Sequence, residues 1–152
     1  MASQKSVLIT GTSAGGIGSY LAFEFQRRGL LVFATARNLQ KVDPALSSLP
    51  NIELVTLDVT SPSSIAAAVE VVSAKTGGTL DILVNNSGSG YTMPLLDSSL
   101  DTGRQMFEAN FWGLLAVTKA FAPLVITAKG TIANNSSISG ETQTPWDGVL
   151  DL

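Results

Sequence analysis

Residues able to do chemistry gather in a few short segments of this chain. Gly11-Thr12-Ser13-Ala14-Gly15-Gly16-Ile17-Gly18 follows one apolar run and opens a helix-like pattern. A glycine loop in that place turns tightly, and its free N–H groups at the helix start suit a pyrophosphate. Gly11, Ser13, Gly16, Ile17 and Gly18 are the candidate contacts. Glycines also serve any tight strand-to-helix turn, so it is the strand before and the helix after that favour a dinucleotide loop.

Arg37 directly follows a second apolar run that ends in Ala34-Thr35-Ala36. An acid at that strand end would accept from a ribose 2′-hydroxyl, whereas a cation suits a 2′-phosphate. The residue favours NADP(H) over NAD(H); the plain alternative is a solvated arginine in a loop. Asp58, at the end of a third run, either accepts from an adenine amino group or caps the next turn.

Asn85-Asn86-Ser87-Gly88 closes a fourth run. Adjacent asparagines there either satisfy stray backbone groups or line a cofactor cleft. Asn110 interrupts an apolar helical stretch beside Met106, Phe107, Phe111 and Leu114. A buried amide must find partners, so it ties that helix to the sheet or holds a water near a site. Ser136 and Ser137 follow the fifth run, where a lone serine without a base is ordinarily a turn residue.

Absent residue types exclude more. The chain has no histidine and no cysteine, which removes serine-histidine triads, histidine bases, cysteine nucleophiles, zinc fingers and disulfides. No metal site is expected. Net charge is −3, pI about 4.7, and the nine basic residues are scattered, with Arg27-Arg28 the one adjacent pair. Nucleic acid is not an expected partner, because phosphate contacts need clustered cations.

The elements that must position these residues follow from periodicity. The 152 residues, 15.8 kDa, suffice for one domain. A hydrophobic share of 45% and a mean hydropathy of +0.30 are too apolar for disorder. Strands are predicted at 6–10, 30–35, 52–57, 80–84 and 131–134. The first helix, 17–28, carries Ile17, Leu21 and Phe25 on one face and stops at Gly29. Pro62 opens a second helix after a Thr60 or Ser61 cap, with Ile65, Val69 and Val72 inward and Gly77-Gly78 at its end. A long helical pattern spans 100–128, with Pro123 expected to bend or end it. Segment 38–50 is a polar connection with room for a short helix, and 136–152 reads as loop.

Strands apolar on both faces, alternating with helices, predict an α/β doubly wound parallel sheet. Right-handed crossovers then give the order 3-2-1-4-5, with a switch point between strands one and four where ligands bind. The glycine loop and Asn85–Gly88 both reach that point. No run of 18 apolar residues is evident, so no membrane span is expected. Met1–Ser6 lacks a basic region followed by an apolar run, so no cleaved leader is expected and a cytoplasmic protein is.

Taken together, Thr10–Gly18 (TGTSAGGIG), Leu57–Thr60 (LDVT), Leu83–Gly88 (LVNNSG), Phe107–Gly113 (FEANFWG) and Asn135–Gly140 (NSSISG) resemble the short-chain dehydrogenase/reductase family over essentially the whole chain. The phrases FATARN, YTMPLLD and PLVITAKGTI are most similar to fungal NADPH-dependent 1-acyldihydroxyacetone-phosphate reductases. The resemblance implies a Rossmann-like NAD(P)-binding domain over 1–152, incomplete at its C-terminal end. It implies transfer of hydride between NADP(H) and a small carbonyl or alcohol substrate, lipid-like or from secondary metabolism. By motif match, Asn110 falls on the asparagine that positions a proton-relay water, and Ser137 on the serine that orients the substrate oxygen. Gly11, Gly16, Ile17 and Gly18 fall on the phosphate loop, Asp58 on the adenine contact, and Asn86 on the cleft-lining asparagine.

One departure stands out. The family's Tyr-x-x-x-Lys begins about thirteen residues after that serine, and position 150 is leucine, which cannot transfer a proton. The alternative expectation is therefore an inactive chain that binds NADP(H) or pairs with a full-length homologue. The 100–128 helix resembles the family's subunit-interface helix, which also makes a homo-oligomer an expectation. The same resemblance allows peripheral association with endoplasmic reticulum or lipid droplets.

Overall fold

The apolar runs become β1 (Ser6–Ile9), β2 (Leu31–Ala36), β3 (Ile52–Thr56), β4 (Ile82–Asn85) and β5 (Thr131–Asn134) in a computed structural model that describes residues 4–142. All four pairings are parallel, and the order is β3-β2-β1-β4-β5, as the sequence predicts. In register, Leu8 of β1 stands beside Phe33 of β2 and Leu83 of β4. Side chains alternate across the sheet. Leu8, Phe33 and Leu83 therefore share one apolar cluster, while Val7, Ile9, Val32 and Ala34 share the other.

Helices cover both faces. α1 (Ile17–Arg27) closes the second cluster through Ala22, together with Leu46 of the short α2 (Pro44–Ser47). The first cluster is closed by Ile65, Ala68 and Val72 of α3 (Pro62–Thr76) and by Val117, Phe121, Leu124 and Val125 of a later helix. Phe33 and Phe121 are fully buried, worth roughly 1.5–3 kcal/mol each in area removed from water. α3 starts and stops as expected: the Ser61 hydroxyl accepts from the Ser64 N–H, Pro62 leads, and Gly77 ends it at φ 70°.

Three expectations need correction. Ile17 does not join the core face of α1; it is 62% exposed, and Gly18 and Ala22 are buried instead. The reason is that the first turn abuts a cleft rather than the sheet. Val69 is only partly buried, with Ala68 taking its place at the core. Pro123 neither ends nor interrupts its helix, which runs on to Ala128. It lies on the exposed side, where water can serve the carbonyl it leaves unbonded.

The irregularity in that long helix comes earlier. α4 (Leu100–Phe107) passes into a π-helical turn, Glu108–Gly113, and then into α5 (Leu114–Ala128). An 18-residue stretch of this 29-residue run has a mean hydropathy of 1.6, so the run is long and apolar enough to cross a membrane by those two measures. Polar residues such as Thr118 and Lys119 interrupt it, so it holds no unbroken apolar run of 18 residues. Its inner face, however, packs on the sheet. Its outer side leaves Phe111, Trp112 and Ile126 exposed, and all four residues of β5 are exposed as well.

Candidate functional site

Beyond the carboxyl ends of β1 and β4 the chain departs in opposite directions, toward β2 and toward β5. A cleft of about 1600 Å³ opens there, as the switch-point rule requires. Its walls are the glycine loop, Arg37 and Lys41 beyond β2, residues 57–60 beyond β3, residues 86–91 beyond β4, Asn110, and residues 134–137 beyond β5.

The glycine loop is held from three sides. Thr12 donates to the Thr35 carbonyl twice, through N–H (2.9 Å) and Oγ1 (3.1 Å). Ala14 N–H donates to the Lys41 carbonyl at 2.8 Å. Thr10 Oγ1 accepts from the N–H groups of Asn86 (2.8 Å) and Ser87 (2.9 Å). Gly11 sits at φ 72°, and a Cβ there would stand 2.9 Å from Ser87 Oγ. Only glycine tolerates both conditions. The contributions of Thr10, Thr12 and Thr35 went unread in the sequence; the signal was a threonine hydroxyl at each of two neighbouring strand ends.

α1 begins without a cap. Gly16 precedes it with no side-chain acceptor, and no acid lies in the first turn. Among the described residues, the N–H groups of Ile17 and Gly18 have no protein acceptor. An open helix start facing a cleft is a place for an anion. Gly18 itself is buried and serves packing: its missing Cβ lets α1 approach Gly11 and Asn86.

The two adjacent asparagines separate. Asn86 Nδ2 donates to the carbonyls of Thr10 (3.0 Å) and Gly11 (2.9 Å), and its Oδ1 accepts from Asn135 Nδ2 (3.0 Å). One side chain thus ties together the loops after β1, β4 and β5. Asn85, expected beside the cofactor, does not line the cleft: its Nδ2 donates to Thr118 Oγ1 and Asn134 Oδ1, both at 2.9 Å. Successive residues of a strand face opposite sides, so both cannot reach one site. Asn135 was not foreseen as a site residue.

Asp58 takes the capping role that the sequence left open. Its Oδ1 accepts from the N–H (3.0 Å) and the hydroxyl (2.8 Å) of Thr60. Those bonds, the N–H first, hold its carboxyl below the usual range against partial burial, with the positive charge of Arg37 adding to them. Its Oδ2 has no protein partner among the described residues and remains open to the cleft that Asp58 lines.

Asn110 is half-exposed rather than buried, within the π-helical turn. Its Oδ1 accepts from Ser89 N–H and its Nδ2 donates to Ser89 O, both at 2.9 Å. The side chain thereby ties the helix to the loop after β4 and keeps one N–H and one lone pair for a further partner. Gly88 gives it room, since a Cβ there would stand 3.2 Å from Asn110 Oδ1. Ser137 lines the cleft, and its Oγ accepts from Ser139 N–H at 3.1 Å, starting a short turn. Gly148, Val149 and Leu150, at the family's tyrosine motif, lie outside the described residues.

A family model described as short chain dehydrogenase matches residues 5–149. Short-chain dehydrogenase PC-15 of Penicillium crustosum is 52% identical over 146 residues, covering 96% of this chain and 54% of that protein. An NADPH-dependent 1-acyldihydroxyacetone phosphate reductase of Schizosaccharomyces pombe is 37% identical over 138 residues, covering 91% of this chain and 46% of its own length. The chain therefore spans about half the length of the curated relatives it matches. Among solved structures, ElxO with NADP bound superposes with a TM-score of 0.88 at 30% identity, over 98% of this chain and 62% of that one.

Proposed function

The chain belongs to the short-chain dehydrogenase family, and on that premise we propose an NADP(H)-dependent reductase that converts a ketone or aldehyde to an alcohol. The substrate class is lipid-like or drawn from secondary metabolism. The observation that carries this reading is the cleft at the β1/β4 switch point, with the uncapped start of α1 at one wall and Arg37 at another. The residues fit a nicotinamide dinucleotide: open N–H groups for a pyrophosphate, a guanidinium where a 2′-phosphate needs a cation, and an unpartnered carboxylate oxygen on Asp58 for an amino group.

Bound NADPH supplies a hydride to a carbonyl carbon. In this reading the chain's own residues bind and orient the reactants, and the proton that turns the resulting alkoxide into the alcohol is taken from water in the cleft. Ile17 and Gly18 N–H groups hold the pyrophosphate, with Gly11, Ser13 and Gly16 shaping the loop. Arg37 pairs with the 2′-phosphate. Asn86 and Gly88 keep the wall beside the reacting end rigid, and Asn110 fastens that wall to the helix. The Ser137 hydroxyl orients the carbonyl oxygen. A cytoplasmic location goes with this reading.

Leu150 favours a second reading, a non-catalytic chain that binds NADP(H) or pairs with a full-length homologue, since leucine moves no proton. One experiment separates them: titrate the chain with NADPH by fluorescence, then follow NADPH oxidation with a panel of ketones. Saturable binding with turnover supports the reductase. Binding without turnover supports the second reading, and no saturable binding overturns both.

A further inference from the structure

The wall of the cleft that carries Ser137 is thinly held. Residues 131–138 are all exposed, and among the described residues β5 pairs with β4 alone. A segment with few buried contacts opens easily, whereas a hydroxyl that orients a reacting oxygen has to keep its place.

Two asparagine pairs fasten this wall, one on each face of the sheet. Asn85 Nδ2 donates to Asn134 Oδ1 at 2.9 Å, and Asn135 Nδ2 donates to Asn86 Oδ1 at 3.0 Å. Asn135 N–H also donates to the Asn85 carbonyl at 2.8 Å. The pairs lead to different places. The first continues from Asn85 to Thr118 Oγ1 of α5. The second continues from Asn86 Nδ2 to the carbonyls of Thr10 and Gly11, at the mouth of the glycine loop.

That loop packs in turn under the start of α1, where a Cβ on Gly18 would clash with both the Gly11 carbonyl oxygen and the Asn86 amide. A line of contacts therefore runs from the open N–H groups of Ile17 and Gly18, through Gly11 and Asn86, to Asn135 and the backbone beside Ser137. An amide group is planar, so its two ends move as one body. Holding the Gly11 carbonyl still holds the Nδ2 end of Asn86, and with it the Oδ1 end that receives Asn135. Hydrogen bonds in such a chain also polarise and strengthen one another. We propose that Asn135 is a positioning residue: through Asn86 it passes the ordering of the glycine loop by a bound phosphate to the wall that carries Ser137. Dinucleotide binding then firms the hydroxyl that orients the carbonyl oxygen. This rests on the NADP(H) reading above and adds to it the residue that couples the phosphate end of the cleft to its reacting end.

The test follows amide exchange of the full chain by NMR, alone and saturated with 2′,5′-ADP. That ligand ends at its 5′-phosphate and has no nicotinamide to touch Ser137, so slowing at residues 134–138 has to arrive through the protein. Variants are Asn135→Asp, which keeps the shape and removes the donor, Asn135→Ala, and Asn134→Ala, which breaks the other pair. In wild type, exchange should slow across residues 11–18 and, by about threefold to tenfold, across 134–138, the factor that one hydrogen bond is worth. In both Asn135 variants the slowing at 134–138 should shrink to within about twofold while that at 11–18 persists. Asn134→Ala should keep both. Slowing at 134–138 that survives in the Asn135 variants, that is lost equally in Asn134→Ala, or that is absent from wild type while 11–18 slows, overturns the proposal and spares the NADP(H) reading. Loss of slowing in both segments of an Asn135 variant overturns it as well, because the residue then holds the loop itself. A wild type that slows in neither segment overturns both.

Discussion

Gly18 and Asn86 meet so closely that a Cβ on the glycine would stand 2.5 Å from the amide nitrogen of the asparagine. That same nitrogen holds the Gly11 carbonyl at 2.9 Å. The start of α1, the glycine loop and the loop after β4 are thus one packed unit, with no slack for even a methyl group. Gly18→Ala should displace α1 from Gly11 or break the Asn86 bonds, at a cost of about 1–3 kcal/mol. Denaturant unfolding checks the stability, and NADPH titration should show weaker binding in the same variant.

Removing the amide rather than crowding it probes the same unit from the other side. Asn86→Ala leaves the carbonyls of Thr10 and Gly11 and the Nδ2 of Asn135 without their partner. Unpaired, partly buried polar groups cost about 1–3 kcal/mol, which for a chain of this size lowers Tm by several degrees. Differential scanning calorimetry reads the effect. An unchanged Tm would show that water replaces the amide without loss.

Arg37→Glu should invert the charge at the end of β2. NADPH binding is expected to weaken at least about tenfold to a hundredfold, the range for a charge-assisted bond. NADH should bind as well as before or better, because a carboxylate there can accept from a ribose 2′-hydroxyl. The ratio of the two dissociation constants is the measurement.

Asp58 predicts a pH dependence. Its folded carboxyl is held below the ordinary value by Thr60 and Arg37, so it binds fewer protons in the folded chain than in the unfolded one. Its stabilising contribution is then fully present above the unfolded value, near pH 4, and fades as pH falls through the lower folded value. Tm measured from about pH 7 down to pH 2 should fall for wild type, and Asp58→Asn should flatten the acid part of that fall. Parallel curves would assign the acid loss to other carboxylates.

Asn110→Ala removes both bonds to the Ser89 backbone. Because the pair is half-exposed, the global cost should be small, about 1 kcal/mol or less. The local effect is larger: amide exchange should quicken across residues 88–91 while β1 stays protected. Exchange rates unchanged in that loop would show that Asn110 does not hold it.

Much of this was legible along the chain. The five strands, their parallel order and the switch point follow from apolar runs of strand length alternating with helical periodicity, because burial on both faces is written locally in each run. The caps of α3 were legible for the same reason, since Ser61, Pro62 and Gly77 act on backbone within a few residues of themselves. The glycine loop and Arg37 were legible as residues of the cleft because each follows a strand end directly.

What sequence alone determined, then, was which elements form and at which edge of the sheet the polar residues gather. Tertiary structure decided what each of those residues does. Whether Asn85 or Asn86 faces the cleft depends on strand pleat and on partners 49 to 76 residues away. Asn110 is taken up by a loop 21 residues earlier, Ile17 is exposed by the cleft beside it, and Lys41 is carried to the glycine loop by bonds to Ala14 and Val42's bridge to Ser13. Periodicity is a property of neighbours in the chain, whereas a hydrogen bond is a property of neighbours in space, and only folding makes the second kind.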